Sequence, residues 1–441
     1  MSGPMPAQRL AALLDRFGIH YAWAVAGAIF LTALTTAGAV GIPGALILPM
    51  GREFGWDTAE ISSALGLRLA LFGLMAPFAA ALIERYGIRR VVMAAILLII
   101  GGLAGALVMT RVWQLILFWG VAVGIGTGMT ALVLSAIVAN RWFSAHRGLA
   151  LGLLTASSAT GQLVFLPLAA WLADNWGWRA ALLPAVISLA LAAILVMLFV
   201  RDRPSDLGLH PFGGMATAPP NPPGPPAPPQ AVIGRAFAVL AEAAGSPAFW
   251  ILFATFFICG LSTSGLIQTH FIPLCGDFGM APVAAASVLA AMGVFDIIGT
   301  VGSGWLSDRY DSRKLLFWYY GLRGVSLLYL PSSSFTVYGL WFFAVFYGLD
   351  WIATVPPTVR IATTMFGRER AGIVFGWVFA AHQLGAAAAA YGAGLSRTLA
   401  ATYLPAFYVA GAACLVAALL ILTIRPAGSA VSALREKEAA T

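Results

Sequence analysis

The sequence predicts an all-α membrane protein: twelve transmembrane helices in two pseudo-symmetric six-helix bundles. Three observations carry that prediction. First, 60% of the 441 residues are hydrophobic and only 10% are charged, whereas a soluble domain carries roughly 25% charged residues. Second, twelve apolar runs follow one another along the chain, each close to the about 20 residues that a bilayer-crossing helix needs. Third, charged islands between these runs recur. Glu84-Arg85-Tyr86-Gly87-Ile88-Arg89-Arg90 returns 224 residues later as Asp308-Arg309-Tyr310-Asp311-Ser312-Arg313-Lys314, and Phe143-x3-Arg147 returns 223 residues later as Phe366-x3-Arg370. Two matches at nearly one interval mean two similar halves laid end to end. The runs lack the alternation of barrel strands, so the spans are helices.

The elements follow in order. A tail, residues 1–21, precedes span 1 (22–48), which is too long for a signal-peptide core and stays as a helix. Spans 2 to 6 (60–83, 91–109, 112–138, 148–172 and 180–200) complete an N-terminal bundle over 22–200. A polar central loop, 201–246, follows. Its stretch from Pro219 to Pro229 holds eight prolines and reads as an extended, polyproline-like tether. Residues 235–244 read as a short helix on the membrane surface. Spans 7 to 12 (248–273, 283–307, 315–331, 336–362, 372–396 and 403–424) form a C-terminal bundle over 247–425, and a small polar tail, 426–441, reads as disordered. The glycines of span 4 (Gly120, Gly124, Gly126 and Gly128) and of span 1 (Gly38, Gly41 and Gly44, beside Pro43) predict close helix packing or bending. The Gly-x-Gly-x-Gly of span 4 is no nucleotide loop, because no strand precedes it.

Charge sets the orientation. An even number of spans puts both termini on one side, and the loops on that side hold 19 of the 25 Lys and Arg residues. By the positive-inside rule that side is cytoplasmic, which predicts an inner (cell) membrane protein with both termini cytoplasmic. The net charge of +8 is largely this topology signal, so no nucleic-acid partner is expected. Cys259, Cys275 and Cys414 are scattered and indicate neither a disulfide framework nor a metal site. No ATP-binding loop, nucleophile elbow or paired catalytic acids stand in a loop, so neither a primary pump nor an enzyme is read here, and no cofactor is expected.

Twelve spans, a six-plus-six repeat, a long central loop and the acid-Arg-x-Gly-x-Arg-Arg loop after span 2 resemble the major facilitator superfamily, over about 20–425. Within it, Arg141-Trp142-Phe143-x3-Arg147-Gly148-x3-Gly152, then Gly161, Pro167 and Gly177-Trp178-Arg179, look like the monocarboxylate and oxalate transporter branch. Span 8 of that branch often carries an Asp and, four residues on, an Arg that binds substrate carboxylate. Asp296 fits the first position and Thr300 takes the second. The resemblance also implies that Glu84, Arg85, Arg89, Asp308, Arg309 and Arg313, with Arg147 and Arg370, form gating loops. Carboxylate–Arg pairs at helix ends there would hold one conformation until substrate shifts the balance.

Ionisable groups inside spans are costly and are usually paired or functional. Asp296, Arg323 and Asp350 fall at comparable depth in the second half and predict a charge cluster, either structural or a proton site in which two acids share one Arg. Arg68 has no acid within its own span. Its guanidinium either binds a carboxylate from a cavity or snorkels outward. His382, beside Gln383, sits near the middle of span 11, where a His can donate to substrate or relay a proton. The resemblance places a substrate-binding cation at about that depth. Gln162, Phe165 and Trp377 are further cavity candidates.

Paired halves in a membrane protein point to a site between them and to alternating access. The leading expectation is a secondary active transporter of a small organic anion, a mono- or dicarboxylate, coupled to protons and working as a monomer in the lipid bilayer. The alternatives are efflux of amphipathic drugs or surfactants, which the many Phe and Trp residues permit, and a membrane sensor signalling through the proline-rich loop.

Overall fold

A computed structural model describes residues 6–130, 132–214 and 229–424. They are almost wholly helical. Ten helices among them are long and apolar enough to cross a membrane. The two remaining runs are also helices. Span 5 lies in Arg147–Trp176. Span 9 lies in Ser312–Tyr329, which carries Arg313, Lys314 and Arg323 in 18 residues, and ends in the 3-10 turn Leu330–Ser332. Large apolar side chains face outward in stripes, as on span 6, where Leu183, Ile187, Leu191 and Ile194 are 45%, 67%, 56% and 50% exposed. That helical spacing of exposed apolar groups marks a lipid-facing surface.

The chain divides into two compact units, 1–233 and 234–441. In the first, span 1 packs on spans 5 and 6, span 2 on span 4, and span 3 on spans 4 and 6. In the second, span 7 packs on spans 11 and 12, span 8 on span 10, and span 9 on spans 10 and 12. Each pairing recurs six spans later, which is the repeat expressed as packing. Close approach explains the glycines of span 4. Side chains added at Gly120, Gly124 and Gly128 would press on Ala64, Arg68 and Phe72 of span 2, all backbone contacts.

Among the described residues, four spans depart from continuous α-helix, span 1 by dividing into Ala22–Gly41 and Pro43–Phe54. Span 4 is π-helical over Ile116–Val123, and span 7 over Leu261–Ile267. Span 10, expected as one run over 336–362, is two helices, Trp341–Asp350 and Val355–Phe366, with a turn between them. Pro356 and Pro357 open the second and supply no N–H to the turn.

The described parts of the central loop, on either side of the proline-rich stretch, are held by hydrogen bonds and packing. Phe212 exchanges backbone hydrogen bonds with Trp142, Ser144 and Ala145 at 2.8–3.0 Å. The helix expected at 235–244 spans Pro229–Ala244 and packs on the second unit. Trp377 Nε1 donates to Ala236 O at 3.1 Å, the Phe237 ring lies 5.4 Å from that of Trp377, and Arg370 pairs with Glu242. The stretch 215–228 and the tail from 425 lie outside the described residues.

Candidate functional site

In the first unit, Arg68 is 3% exposed. Its Nη1 donates to Val40 O at 2.8 Å, and its Nε has no hydrogen-bond partner among the described residues. Val40 lies where span 1 passes from Ala22–Gly41 to Pro43–Phe54. The guanidinium therefore ties span 2 to this junction in span 1. It does not snorkel, and no carboxylate lies within ion-pair distance of it among the described residues. An ionised group held this way retains donors for an anion. Phe165, 7% exposed, seats its ring where Gly38 leaves room. The side chains of Gln162 and Arg147 lie outside the described ones.

The second unit contains the expected charge cluster, arranged around the break in span 10. Arg323 Nε donates to Asp350 Oδ2 at 2.6 Å. Its Nη2 donates to Asp350 O at 2.5 Å and Trp351 O at 3.1 Å, and its Nη1 to Cys259 Sγ at 3.0 Å. Asp296 does not pair with Arg323 directly. Its Oδ1 accepts from Ile352 N–H at 2.8 Å and from Thr300 Oγ1 at 3.0 Å. Thr300, standing where the resembling branch often has Arg, thus holds the Asp296 carboxylate. Ser303 Oγ donates to Ala353 O at 2.5 Å, and Cys259 Sγ lies 3.3 Å from Thr354 Oγ1. Backbone freed at membrane depth must find partners within the protein, and these side chains supply them. Asp296 and Asp350 are 5% and 7% exposed.

His382 is half-buried in the same unit. Its Nε2 lies 3.4 Å from Thr263 Oγ1, its ring stacks on Phe379 at 5.8 Å and tilts on Phe256 at 5.2 Å, and its Nδ1 has no partner among the described residues. Gln383 is buried with its Oε1 equally without a partner. Both retain polar capacity for a ligand. Trp377 faces the helix at 229–244 and is not grouped with them.

The repeated loops have unlike pairings. Gly87 takes φ +86° and ψ 159° between spans 2 and 3, a region open only to glycine. A side chain there would overlap the Asp202 carboxylate, which accepts from Arg89 N–H at 2.9 Å. In the second copy Asp311 replaces the glycine, and its own carboxylate accepts from Arg313 N–H at 2.9 Å and pairs with the guanidinium at 2.5 Å. The hydrogen bond from the Arg313 guanidinium holds Asp311 below the usual carboxylate range, although partial burial opposes it. Asp308 pairs with Arg360 at 3.1 Å, and Arg309 lies over the Trp305 ring at 4.1 Å. Glu84, Arg85 and Arg89 line one open pocket.

Two ion pairs at the opposite helix ends escaped the sequence reading. Glu53 pairs with Arg179 at 2.5 Å and accepts from Trp178 Nε1 at 2.7 Å; Asp277 pairs with Arg397 at 2.9 Å. Despite some desolvation, these partners hold Glu53 below its ordinary value. The two acids are themselves 224 residues apart, so a longer search at the repeat interval finds them.

Comparison with known proteins agrees with this architecture. The family profile of the Major Facilitator Superfamily matches residues 28–390. The uncharacterized MFS-type transporter YcxA of Bacillus subtilis is 26% identical over 354 residues, covering 79% of this chain and 82% of its own. Monocarboxylate transporter 13 of Rattus norvegicus is 27% identical over 413 residues, covering 92% and 89% respectively. Monocarboxylate transporter 4 of the same species is 24% identical over 372 residues, covering 83% and 74%.

Proposed function

The chain belongs to the Major Facilitator Superfamily, and from that premise we propose that it carries a small monocarboxylate across the membrane together with a proton, by alternating access. It is an integral membrane transporter rather than an enzyme. The single observation that carries the substrate reading is Arg68, a buried guanidinium with an unpartnered Nε and no carboxylate beside it among the described residues. A substrate carboxylate supplies the missing anion. The names of the relatives, monocarboxylate transporters 13 and 4, support the same class.

In this reading His382 and Gln383 offer polar contacts to the substrate, and Asp296 carries the proton. Protonation of Asp296 loosens its hold on the turn of span 10, so the coupling ion and a helix break share one carboxylate. Glu84, Arg85, Arg89, Arg147, Asp308, Arg309, Arg313 and Arg370 act in the gating loops without touching substrate. The protein works as a monomer in the cell inner membrane with both termini cytoplasmic.

The test is uptake of radiolabelled short-chain monocarboxylates into proteoliposomes under an imposed pH gradient. Uptake should follow the proton gradient and collapse when the gradient is dissipated. Losing one partner of a buried, hydrogen-bonded charge pair costs about 2–5 kcal/mol, so Arg68→Gln should lower uptake by more than about tenfold. Parent protein that moves no monocarboxylate, or an Arg68→Gln variant that matches it, would overturn the assignment.

A further inference from the structure

The loop between spans 2 and 3 forms part of a pocket of about 980 Å³ in the first unit, lined by Arg85, Arg89, Arg90, Arg141 and Arg203. Three acids also line it: Glu84, Asp202 and Asp206. Two of these are committed to backbone. Asp202 accepts from Arg89 N–H at 2.9 Å, and Asp206 from the N–H groups of Asp202 and Arg203 at 3.1 and 3.0 Å. Among the described residues, no carboxylate comes within ion-pair distance of any of the five guanidinium groups. The copy of this loop in the second unit behaves differently, with Arg313 paired to Asp311 and Arg360 to Asp308. The first copy therefore keeps an excess of two positive charges over its three acids, with its guanidinium forks unspent.

The pocket has an apolar continuation. Met93, Ala94 and Leu97 of span 3 line it with Met197 of span 6, and Leu97 and Met197 are 58% and 46% exposed. Arg90, Met93, Ala94 and Leu97 share one face of the span 3 helix by their spacing. Cations at the head of an exposed apolar stripe match a molecule with an anionic head and an acyl tail. The stripe is lipid-facing like that of span 6, so acyl chains of the leaflet lie next to the cations.

We propose that this pocket binds a glycerophospholipid of net negative headgroup, from the leaflet on the side of the loop. Basic pockets at helix ends attract such headgroups, and the guanidinium fork matches phosphate oxygens. The site is independent of the carboxylate reading, since none of its residues is assigned to substrate.

The test uses the full-length protein in mild detergent, titrated with phosphatidylglycerol and phosphatidylcholine of identical chains, with bound lipid counted by native mass spectrometry. Phosphatidylglycerol should be preferred by about tenfold or more, and Arg90→Gln and Arg203→Gln should each reduce that preference about fivefold. Arg90→Lys and Arg203→Lys should retain most of it. Glu84→Gln removes a negative charge and should strengthen it, a gain that cannot arise from misfolding. Equal occupancy by both lipids, or an unchanged preference in the double Gln variant, overturns the proposal. So does displacement of phosphatidylglycerol by an equal concentration of glycerol 3-phosphate, which would make the site one for a free anion. Failure of glycerol 3-phosphate to compete supports the lipid.

Discussion

At the scale of single residues, buried charge is the most informative feature of this chain. Arg323 has no exposed side-chain surface and pairs with Asp350 at 2.6 Å. Removing one member of such a pair strands the other, at a cost of about 3–5 kcal/mol. Arg323→Met and Asp350→Leu should each lower the melting temperature in detergent sharply. The double variant should recover most of the loss, and a double variant no better than either single one would deny the coupling. A second residue-scale prediction concerns pH. Arg313 holds Asp311 below its ordinary range, so the pair stabilises the loop above the usual carboxylate pKa, and its contribution fades as the pH falls through the lowered value. The melting difference between the parent and Asp311→Asn should therefore be present at neutral pH and shrink in acid. That Arg323 would meet an acid was legible in the sequence, because an unpaired cation inside a span is too costly. That Asp296 would hold backbone rather than the guanidinium was not, since the choice depends on where span 10 breaks. Nor did the chain order reveal that Arg68 would reach Val40 O across to span 1.

At the scale of elements, the break in span 10 has a sequence cause that hydropathy conceals. The run over 336–362 is apolar through its middle but for Asp350, yet Pro356 and Pro357 withdraw two backbone donors and leave carbonyls one turn earlier in need of partners. Ser303 answers for Ala353 O. Ser303→Ala should therefore cost about 1–3 kcal/mol, the usual penalty for a buried acceptor left unmade. Pro357→Ala restores a donor to the same turn, so combining it with Ser303→Ala should return part of the loss. Thermal melts of the four proteins measure the cycle, and strict additivity would mean that the two groups do not share this carbonyl. The break also shows why the cluster of Asp296, Arg323 and Asp350 forms there, since a helix interrupted within a membrane needs buried polar side chains in sequence-distant neighbours.

At the scale of the whole molecule, the repeat was the strongest signal, and it reappears as the same set of helix pairings in each unit. What the repeat did not disclose is how far the two copies have diverged. One cap comes from Asp202 and the other from Asp311, because a glycine in one copy can be traded for an acid in the other only where no outside carboxylate occupies the space. The connection between the units invites the last prediction. The segment before 215 is held on the first unit through Phe212, and the helix Pro229–Ala244 is held on the second through Trp377 and the Arg370–Glu242 pair. Anchorage thus belongs to the flanks, and the intervening proline-rich stretch needs only to span the distance between them. Replacing residues 215–228 with a Gly/Ser segment of equal length should leave melting temperature and monocarboxylate flux unchanged. Trp377→Ala, by contrast, removes an indole packed on Phe237 and should lower both, with increased protease cleavage near Ala236. If the Gly/Ser replacement instead abolished flux while ligand still stabilised the protein, the proline-rich stretch would be acting as a signalling element rather than a tether.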